Sequence, residues 1–581
     1  MMKFLHLIIP LFLLLSTKDY CQTYYPQNYF IQPLDSLMLL SGNFGELRNN
    51  HFHSGIDIKT HEIEGKPVYA VADGFIARIK VSPVGFGKTL YIDHPNGFTT
   101  VYGHLQRFNK VIDSYIKAEQ YKKESFDIDI FPGKDQLLIK KGDTIAFSGN
   151  SGSSQGPHLH FEIRDTKSEE IINPLLFGLK VLDTICPVID IFKIYPIDEL
   201  SKVNNANSSS IINIKRNDTI AGNYSADTIS VSGNIAFGIE TYDYAFNYKD
   251  KNGIYSIDLY IDSLLCFSIV ADSFSFNETR YINSLIDYPA YYKYGEQIIQ
   301  TYMYPNNELD MYKFVKNKGV YPFNDNNLHH LTYKVRDFFG NTSTLTAMLI
   351  SQKPIADTLP TKKNSNPNVI FDYQHSNIFK TNYIKIELPE NCLYDSLSFE
   401  YSTSCQLKKC FSRIHHVHNS YTPVYKNFSI SIKPECLPKK FIDKALIARL
   451  SGNNHWIPEG GKYNNGFITT KVKSFGLYAI MIDARAPEIK SINIPKSRNI
   501  SQQNTIDFII KDDFSGIKSY RGTLNGHWIL MDYDEKNNKL TYTFDKWLLN
   551  GENQFKLVVT DECNNIKSFQ TKLFFEQTDI F

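Results

Sequence analysis

The 581-residue chain has no surplus of either charge: Lys plus Arg total 62, Asp plus Glu total 61, and the formal net charge is +1. Domains that bind nucleic acid show a basic excess, so this balance argues against a nucleic-acid partner. Tryptophan is scarce, with three residues against 37 Tyr and 40 Phe, so the aromatic content lies in side chains that favour strands. None of the eight cysteines (Cys21, Cys186, Cys266, Cys392, Cys405, Cys410, Cys436 and Cys563) forms a C-x-x-C pair, which argues against a cysteine zinc site. Cys392, Cys405, Cys410 and Cys436 lie close together in sequence; in an exported protein they have room for one disulfide, with buried free thiols as the alternative. The one long apolar run is 4–15, which follows Lys3 and is broken by His6 and Pro10. At about 12 residues it is shorter than the ~20 a membrane helix needs and matches the apolar core of an export signal.

Residues 1–21 are therefore read as a signal peptide processed close to Cys21. Lys18, Asp19 and Tyr20 make a poor context for a lipid on Cys21, so the expectation is an exported protein of the periplasm, outer envelope or cell surface. A prior of ~150 residues per domain gives about four domains. Hydrophobic residues at 42% and charged residues at 21% are ordinary for folded chains.

The segment 40–178 is Gly-rich and made of short alternating stretches. Val68–Val71 and Phe75–Ile79 flank Asp73-Gly74, a hairpin signal, and a second hairpin is expected from 89–94 to 98–102 around Asn96-Gly97. Further strands are expected in 137–148, and 111–134 reads as a charged, Tyr-rich insertion with a short helix around 114–123. Polar or Pro-rich breaks at 201–210, 356–368 and 484–487 accompany three strand-rich segments, 184–352, 370–483 and 486–577, each expected to be a β-sandwich. The first and last of these share an internal repeat. Tyr242-Asp243 leads to Asn252-Gly253-Ile254, as Lys511-Asp512 leads to Ser515-Gly516-Ile517. Arg336-Asp337 then leads to Gly340-Asn341, as Thr560-Asp561 leads to Asn564-Asn565. The repeat reads as two immunoglobulin-like domains, with coincidental turn chemistry as the alternative. The fold class is thus mainly β: a small antiparallel domain followed by β-sandwiches.

Three motifs in the first domain carry chemistry. His158-Leu159-His160 precedes Phe161-Glu162-Ile163-Arg164 on a strand pattern, and residues i and i+2 of a strand share a face. His53-Ser54-Gly55-Ile56-Asp57 offers an imidazole and a carboxylate in a looped or extended stretch. His104 follows the expected strand end at Tyr102-Gly103. Each motif alone is weak. Together they supply three zinc ligands of the imidazole and carboxylate kind and two further histidines, and three protein ligands leave the fourth position open, as in catalytic zinc sites. An open position takes a water and lowers its pKa to about 7, and further groups are then needed for the proton and the oxyanion.

These motifs resemble those of the LytM/lysostaphin-type zinc metallopeptidases, the twenty-third metallopeptidase family. The resemblance rests on Phe52-His53-Ser54-Gly55-Ile56-Asp57, on Tyr102-Gly103-His104-Leu105 and on Gly156-Pro157-His158-Leu159-His160-Phe161-Glu162, in that order. Phe44-Gly45, Arg48 and Gly149-Asn150-Ser151-Gly152 add to it, and it covers 40–178. It implies one zinc ion per chain held by His53, Asp57 and His160. It implies His158 as the general base on the attacking water, with His104 assisting and steadying the oxyanion. The implied substrate is peptidoglycan, cut at its cross-links or stem peptides. For the β-sandwiches three roles stay open: holding the enzyme near the envelope, binding an envelope protein partner, or restricting access to the cleft. The insertion 111–134 is the departure from the family pattern. A non-catalytic activator of another cell-wall hydrolase and a surface adhesion or scaffold protein are the rival readings. His51 lies off the ligand spacing and is read as structural or exposed, while His329, His330 and His415-His416-Val417-His418 lack accompanying ligands and are read as solvated. Asp512-Asp513 is read as a turn, since it lacks the alternating acids and distal Glu of a calcium-binding loop.

Overall fold

The computed structural model describes residues 25–35, 37–217, 219–244, 250–354 and 369–576. The expected signal peptide, Cys21 included, and the whole 356–368 break lie outside them. The chain is built of β-sheets, and among the described residues no helix is long and apolar enough to cross a membrane.

In the first unit the main sheet runs in the order Leu40–Gly42, Ile56–Lys59, His158–Asp165, Phe98–Leu105, Lys88–Asp93, Gly74–Val81 and Ile128–Ile130. Strands Phe98–Leu105 and His158–Asp165 are buried along almost their whole length, as expected of central strands covered on both faces. Lys88–Asp93 and Phe98–Leu105 pair antiparallel, the hairpin expected from Asn96-Gly97. The hairpin expected at Asp73-Gly74 does not form. Pro67–Tyr69 joins a separate three-stranded sheet with Thr144–Phe147 and Arg107–Phe108, while Gly74–Val81 pairs within the main sheet. The Asp-Gly turn carries the chain between sheets, a choice made by long-range pairing that local turn chemistry does not encode.

The insertion holds a helix longer than expected, Lys110–Lys123. Asn109 caps it by accepting from the Ile112 N–H, at 2.9 Å, and Glu124 closes it in the left-handed conformation. Ile112, Ile116 and Gln120 form its buried stripe.

The third unit has two five-stranded sheets and a short two-stranded one, Val369–Phe371 with Leu397–Phe399, and the fourth has two four-stranded sheets; each main pair encloses a hydrophobic core. In the second unit the long strand Ile229–Tyr242 belongs to both layers, and Phe192, Phe237, Phe267 and Tyr333 fill the space between them. The four units close a ring. Ser273–Phe274 of the second extends the first unit's sheet through Ile171–Ile172. Tyr281 stacks on Tyr425 of the third at 4.6 Å. Lys444 donates to the Cys563 carbonyl of the fourth at 2.8 Å. The fourth returns to the first, where Trp528 meets Tyr121 edge-on and Asp532 pairs with Lys88 at 2.6 Å.

Two expectations are corrected here. Cys392, Cys405, Cys410 and Cys436 are all free thiols, so the clustered cysteines form no disulfide. His415 is fully buried rather than solvated: its strand Ile414–Val417 is central, flanked by Tyr401–Ser404 and Gly476–Ile482. His51 and His330 are exposed as expected, and His329 is half-buried between Asp262 and Asp325.

Candidate metal centre

Register brings the site together. His160 lies opposite Asp57 on one neighbouring strand and opposite Gly103 on the other, so three sequence-distant segments meet at one point of the central sheet. His158 lies two residues before His160 and shares its face. Gly55 permits the approach of the first motif, because a Cβ there would sit 2.3 Å from the Phe161 carbonyl oxygen. His104 takes a left-handed backbone with φ of 58°, uncommon for a residue with a side chain. Its N–H is held by the Phe86 carbonyl at 2.8 Å.

His53 Nε2, Asp57 Oδ1 and His160 Nδ1 form a nearly equilateral triangle: the edges are 3.1 Å between His53 and Asp57, 3.1 Å between His53 and His160, and 3.0 Å between His160 and Asp57. All three residues are buried. Outer hydrogen bonds fix which ring atoms face inward. His53 Nδ1 lies 2.7 Å from the Asn43 carbonyl oxygen, and His160 Nε2 lies 3.0 Å from Glu162 Oε1. With protons on those outward nitrogens, His53 Nε2 and His160 Nδ1 turn lone pairs towards a carboxylate oxygen. Three electron-rich atoms facing one point call for a cation. A tetrahedral zinc with bonds of ~2.0–2.1 Å spaces its ligand atoms about 3.3 Å apart, so the triangle fits one face of such a site. The carboxylate behind His160 is the supporting arrangement that metal-bound histidines use.

The same contacts set the protonation of the metal-free chain. Burial disfavours the charged form of Asp57, but the charge of His53 and hydrogen bonds from His158, His160 and His53 outweigh it and hold the carboxyl well below its ordinary range. Burial also pulls His160 down, yet bonds to Asp57 and Glu162 push it up to about 9; a metal ion would displace that proton. Glu162 is fully buried, and against that cost Arg164 and His160 hold it at about 2.

Two histidines flank the triangle. His158 Nδ1 is 2.8 Å from the Gly156 carbonyl oxygen, and its Nε2 faces Asp57 Oδ1 at 3.3 Å. His104 Nδ1 is 2.8 Å from the Ser151 carbonyl oxygen. Burial first, then the neighbouring His160 and His158, lower His104 to about 3, so it is neutral. The His104 and His158 rings lie 4.8 Å apart.

Several residues of this constellation receive no role from sequence reasoning, although Arg48 and Glu162 stand in the motifs that carry the resemblance. Glu162 accepts from Ser54 Oγ at 2.5 Å as well as binding His160 and Arg164. Phe86 stacks on the His160 ring at 4.6 Å. Arg48 reaches Asp57 Oδ2 at 3.4 Å and is held by Glu46. Asn43 exchanges two hydrogen bonds with Gly253 of the second unit, at 2.6 and 2.8 Å. From the fourth unit, Lys536 donates to the Asn150 and Ser154 carbonyls, on the loop whose Ser151 orients His104. Glu162 had a signal in its i+2 spacing from His160; the others depend on packing between distant segments.

Residues 51–121 match the family described as Peptidase family M23, and residues 368–483 match the Zu5-like domain. The chain is 34% identical over 127 residues to a DD-carboxypeptidase/endopeptidase Mpg of Neisseria meningitidis, covering 22% of this chain and 23% of that protein. It is 32% identical over 111 residues to the peptidoglycan DD-endopeptidase ShyB of Vibrio cholerae, covering 19% and 20%. Among solved structures, the catalytic domain of the M23 protein EnpA from Enterococcus faecalis is 23% identical, with 27% of this chain and 98% of that one covered and a TM-score of 0.19. The chain spans less than a quarter of the length of these two relatives. The matched segment 51–121 includes His53, Asp57 and His104, and the match marks this segment as part of a peptidase family M23 domain of the LytM/lysostaphin type.

Proposed function

We propose that the chain is an exported zinc endopeptidase that hydrolyses peptide bonds of bacterial peptidoglycan. The observation that carries this reading is the triangle of His53 Nε2, Asp57 Oδ1 and His160 Nδ1, flanked by two histidines whose Nδ1 atoms are already engaged. A zinc ion bound there would supply Lewis acidity to a water and to the scissile carbonyl. His158 is the base: with Nδ1–H held by Gly156, its Nε2 receives the proton of the attacking water. His104 is neutral, and its one ring proton is engaged by Ser151. Its Nε2 is therefore an acceptor, and it steadies an oxyanion only after taking up a proton itself. His104 then acts as a relay partner of His158 before it acts as a donor. Phe86 covers the His160 ring and keeps bulk water from that side. The endopeptidase names of the two relatives support the substrate class. Full-length protein loaded with zinc should solubilise purified sacculi into uncross-linked glycan strands and peptide fragments, with new peptide termini and intact glycosidic bonds by mass spectrometry. Cleavage confined to glycan bonds, or none, contradicts the proposal.

A further inference from the structure

The internal repeat has a structural counterpart. In the second unit Asp183, Asp243 and Asp337 each bring a carboxylate oxygen within 4.8 Å of the other two. In the fourth unit Asp483, Asp512 and Asp561 do the same. The two constellations are built alike. Asn341 donates its main-chain N–H to Asp337 Oδ1 at 2.8 Å and its amide both to Asp337 Oδ2 and, at 3.4 Å, to the Asp183 main-chain oxygen. Asn565 repeats this on Asp561, at 2.7 Å for both bonds, and on the Asp483 main-chain oxygen at 3.1 Å. Asp243, Asp337, Asp483 and Asp561 are all buried. Among the described residues, no Lys or Arg forms an ion pair with any of the six aspartates.

A residue outside the acidic set lies beside the first constellation. Asn252 is 3% exposed, and its Oδ1 is sealed from solvent without a hydrogen-bond donor. It pairs with Asp243 in an antiparallel bridge through both main-chain hydrogen bonds, at 2.9 and 2.8 Å. Residues opposed in such a bridge project to the same face, so the amide oxygen of Asn252 is turned to the side of the Asp243 carboxylate. Asp243 Oδ1 is itself buried without a donor. In the fourth unit Ser515 occupies the position of Asn252 in the repeat; its hydroxyl faces Asp512 Oδ2 at 3.5 Å, and Asp512 Oδ1 is likewise buried without a donor. A buried acceptor without a partner costs about 1–3 kcal/mol, and more when charged, and three carboxylates at this spacing repel one another. A cation relieves both costs. The available atoms are carboxylate, amide and hydroxyl oxygens, the hard donors that suit calcium.

We infer that the second and fourth units each bind one calcium ion, through Asp183, Asp243, Asp337 and Asn252 in one and Asp483, Asp512, Asp561 and Ser515 in the other. The first ion brings order to the zinc-ligand side of the molecule. Gly253 adjoins Asn252 and holds both amide atoms of Asn43, whose carbonyl takes the proton of His53. Equilibrium dialysis of the full-length, zinc-loaded chain against radioactive calcium tests this, with the thermal midpoint as a second reading. The wild type should bind two calcium ions per chain, with dissociation constants on the order of 10⁻⁴–10⁻³ M as in other extracellular modules, and its midpoint should rise as they bind. Asp243→Asn and Asp512→Asn should each bind one, and the double variant none. Should either variant fail to fold, the wild-type count and Asp337→Asn carry the test. Fewer than one calcium per two wild-type chains at a few millimolar, or a count of two retained in both variants, overturns the inference.

Discussion

His53 and His160 are 107 residues apart in the chain, yet their Nε2 and Nδ1 atoms lie 3.1 Å from each other. Outer hydrogen bonds to Asn43 and Glu162 turn these two atoms inward. In the metal-free chain a proton on His160 bridges these atoms and the Asp57 carboxylate; a metal ion that displaces it would meet two lone pairs and a carboxylate oxygen. His53→Ala or His160→Ala should therefore lower zinc content from one per chain to below about a tenth, as read by elemental analysis after gel filtration. Zinc retained at full stoichiometry in both variants would place the ion elsewhere.

Glu162 carries two loads, orienting His160 and neutralising the buried Arg164. Glu162→Gln keeps the shape and removes the charge. Zinc affinity should fall 10–100-fold by competition with a chelator of known affinity, and stability should fall by about 3–5 kcal/mol in urea unfolding because Arg164 is left unpaired. An affinity loss under threefold would show that His160 is oriented by something else.

At Gly55 the constraint is steric. A Cβ placed 2.3 Å from the Phe161 carbonyl oxygen forces the first motif away from the strand that carries His160. Gly55→Ala should cost about 1–3 kcal/mol and lower zinc occupancy together with stability. A variant as stable and as zinc-loaded as the wild type would contradict the packing described.

His415 sets an acid limit on the third unit. Burial, then the charge of Arg413, lowers it to about 4, and it accepts from the Tyr401 hydroxyl at 2.8 Å as a neutral ring. The unfolded chain takes up this proton near pH 6.5 and the folded chain only near 4. The stability that the neutral ring contributes is thus complete above about pH 6.5 and is lost as pH falls towards 4. Urea midpoints measured from pH 7 to pH 4.5 should decline for the wild type and decline less for His415→Phe. Parallel profiles would rule out His415 as the titrating group.

The convergence of His53, Asp57 and His160 was legible because its parts are local: His158 and His160 share a face by strand alternation, and His53 and Asp57 lie within one short motif. Asn43 was not legible, since its partner Gly253 is 210 residues away. Lys536 was hidden for the same reason, 382 residues from Ser154. The Asp73-Gly74 signal misled because turn chemistry states that the chain bends but not which sheet the next strand joins. The repeat around Asp243 and Asp512 was visible as turn residues; that the aspartates converge as two triads emerges only when the strand ends meet.

The central claim is that His158 acts on the water while His53, Asp57 and His160 hold the metal. The direct measurement is the rate of digestion of purified cross-linked peptidoglycan by zinc-loaded wild type and His158→Ala, with zinc counted in both samples. The account predicts one zinc per chain in each and a rate at least 100-fold lower in the variant. Equal rates, or a zinc-loaded wild type that leaves the peptidoglycan intact, would contradict it.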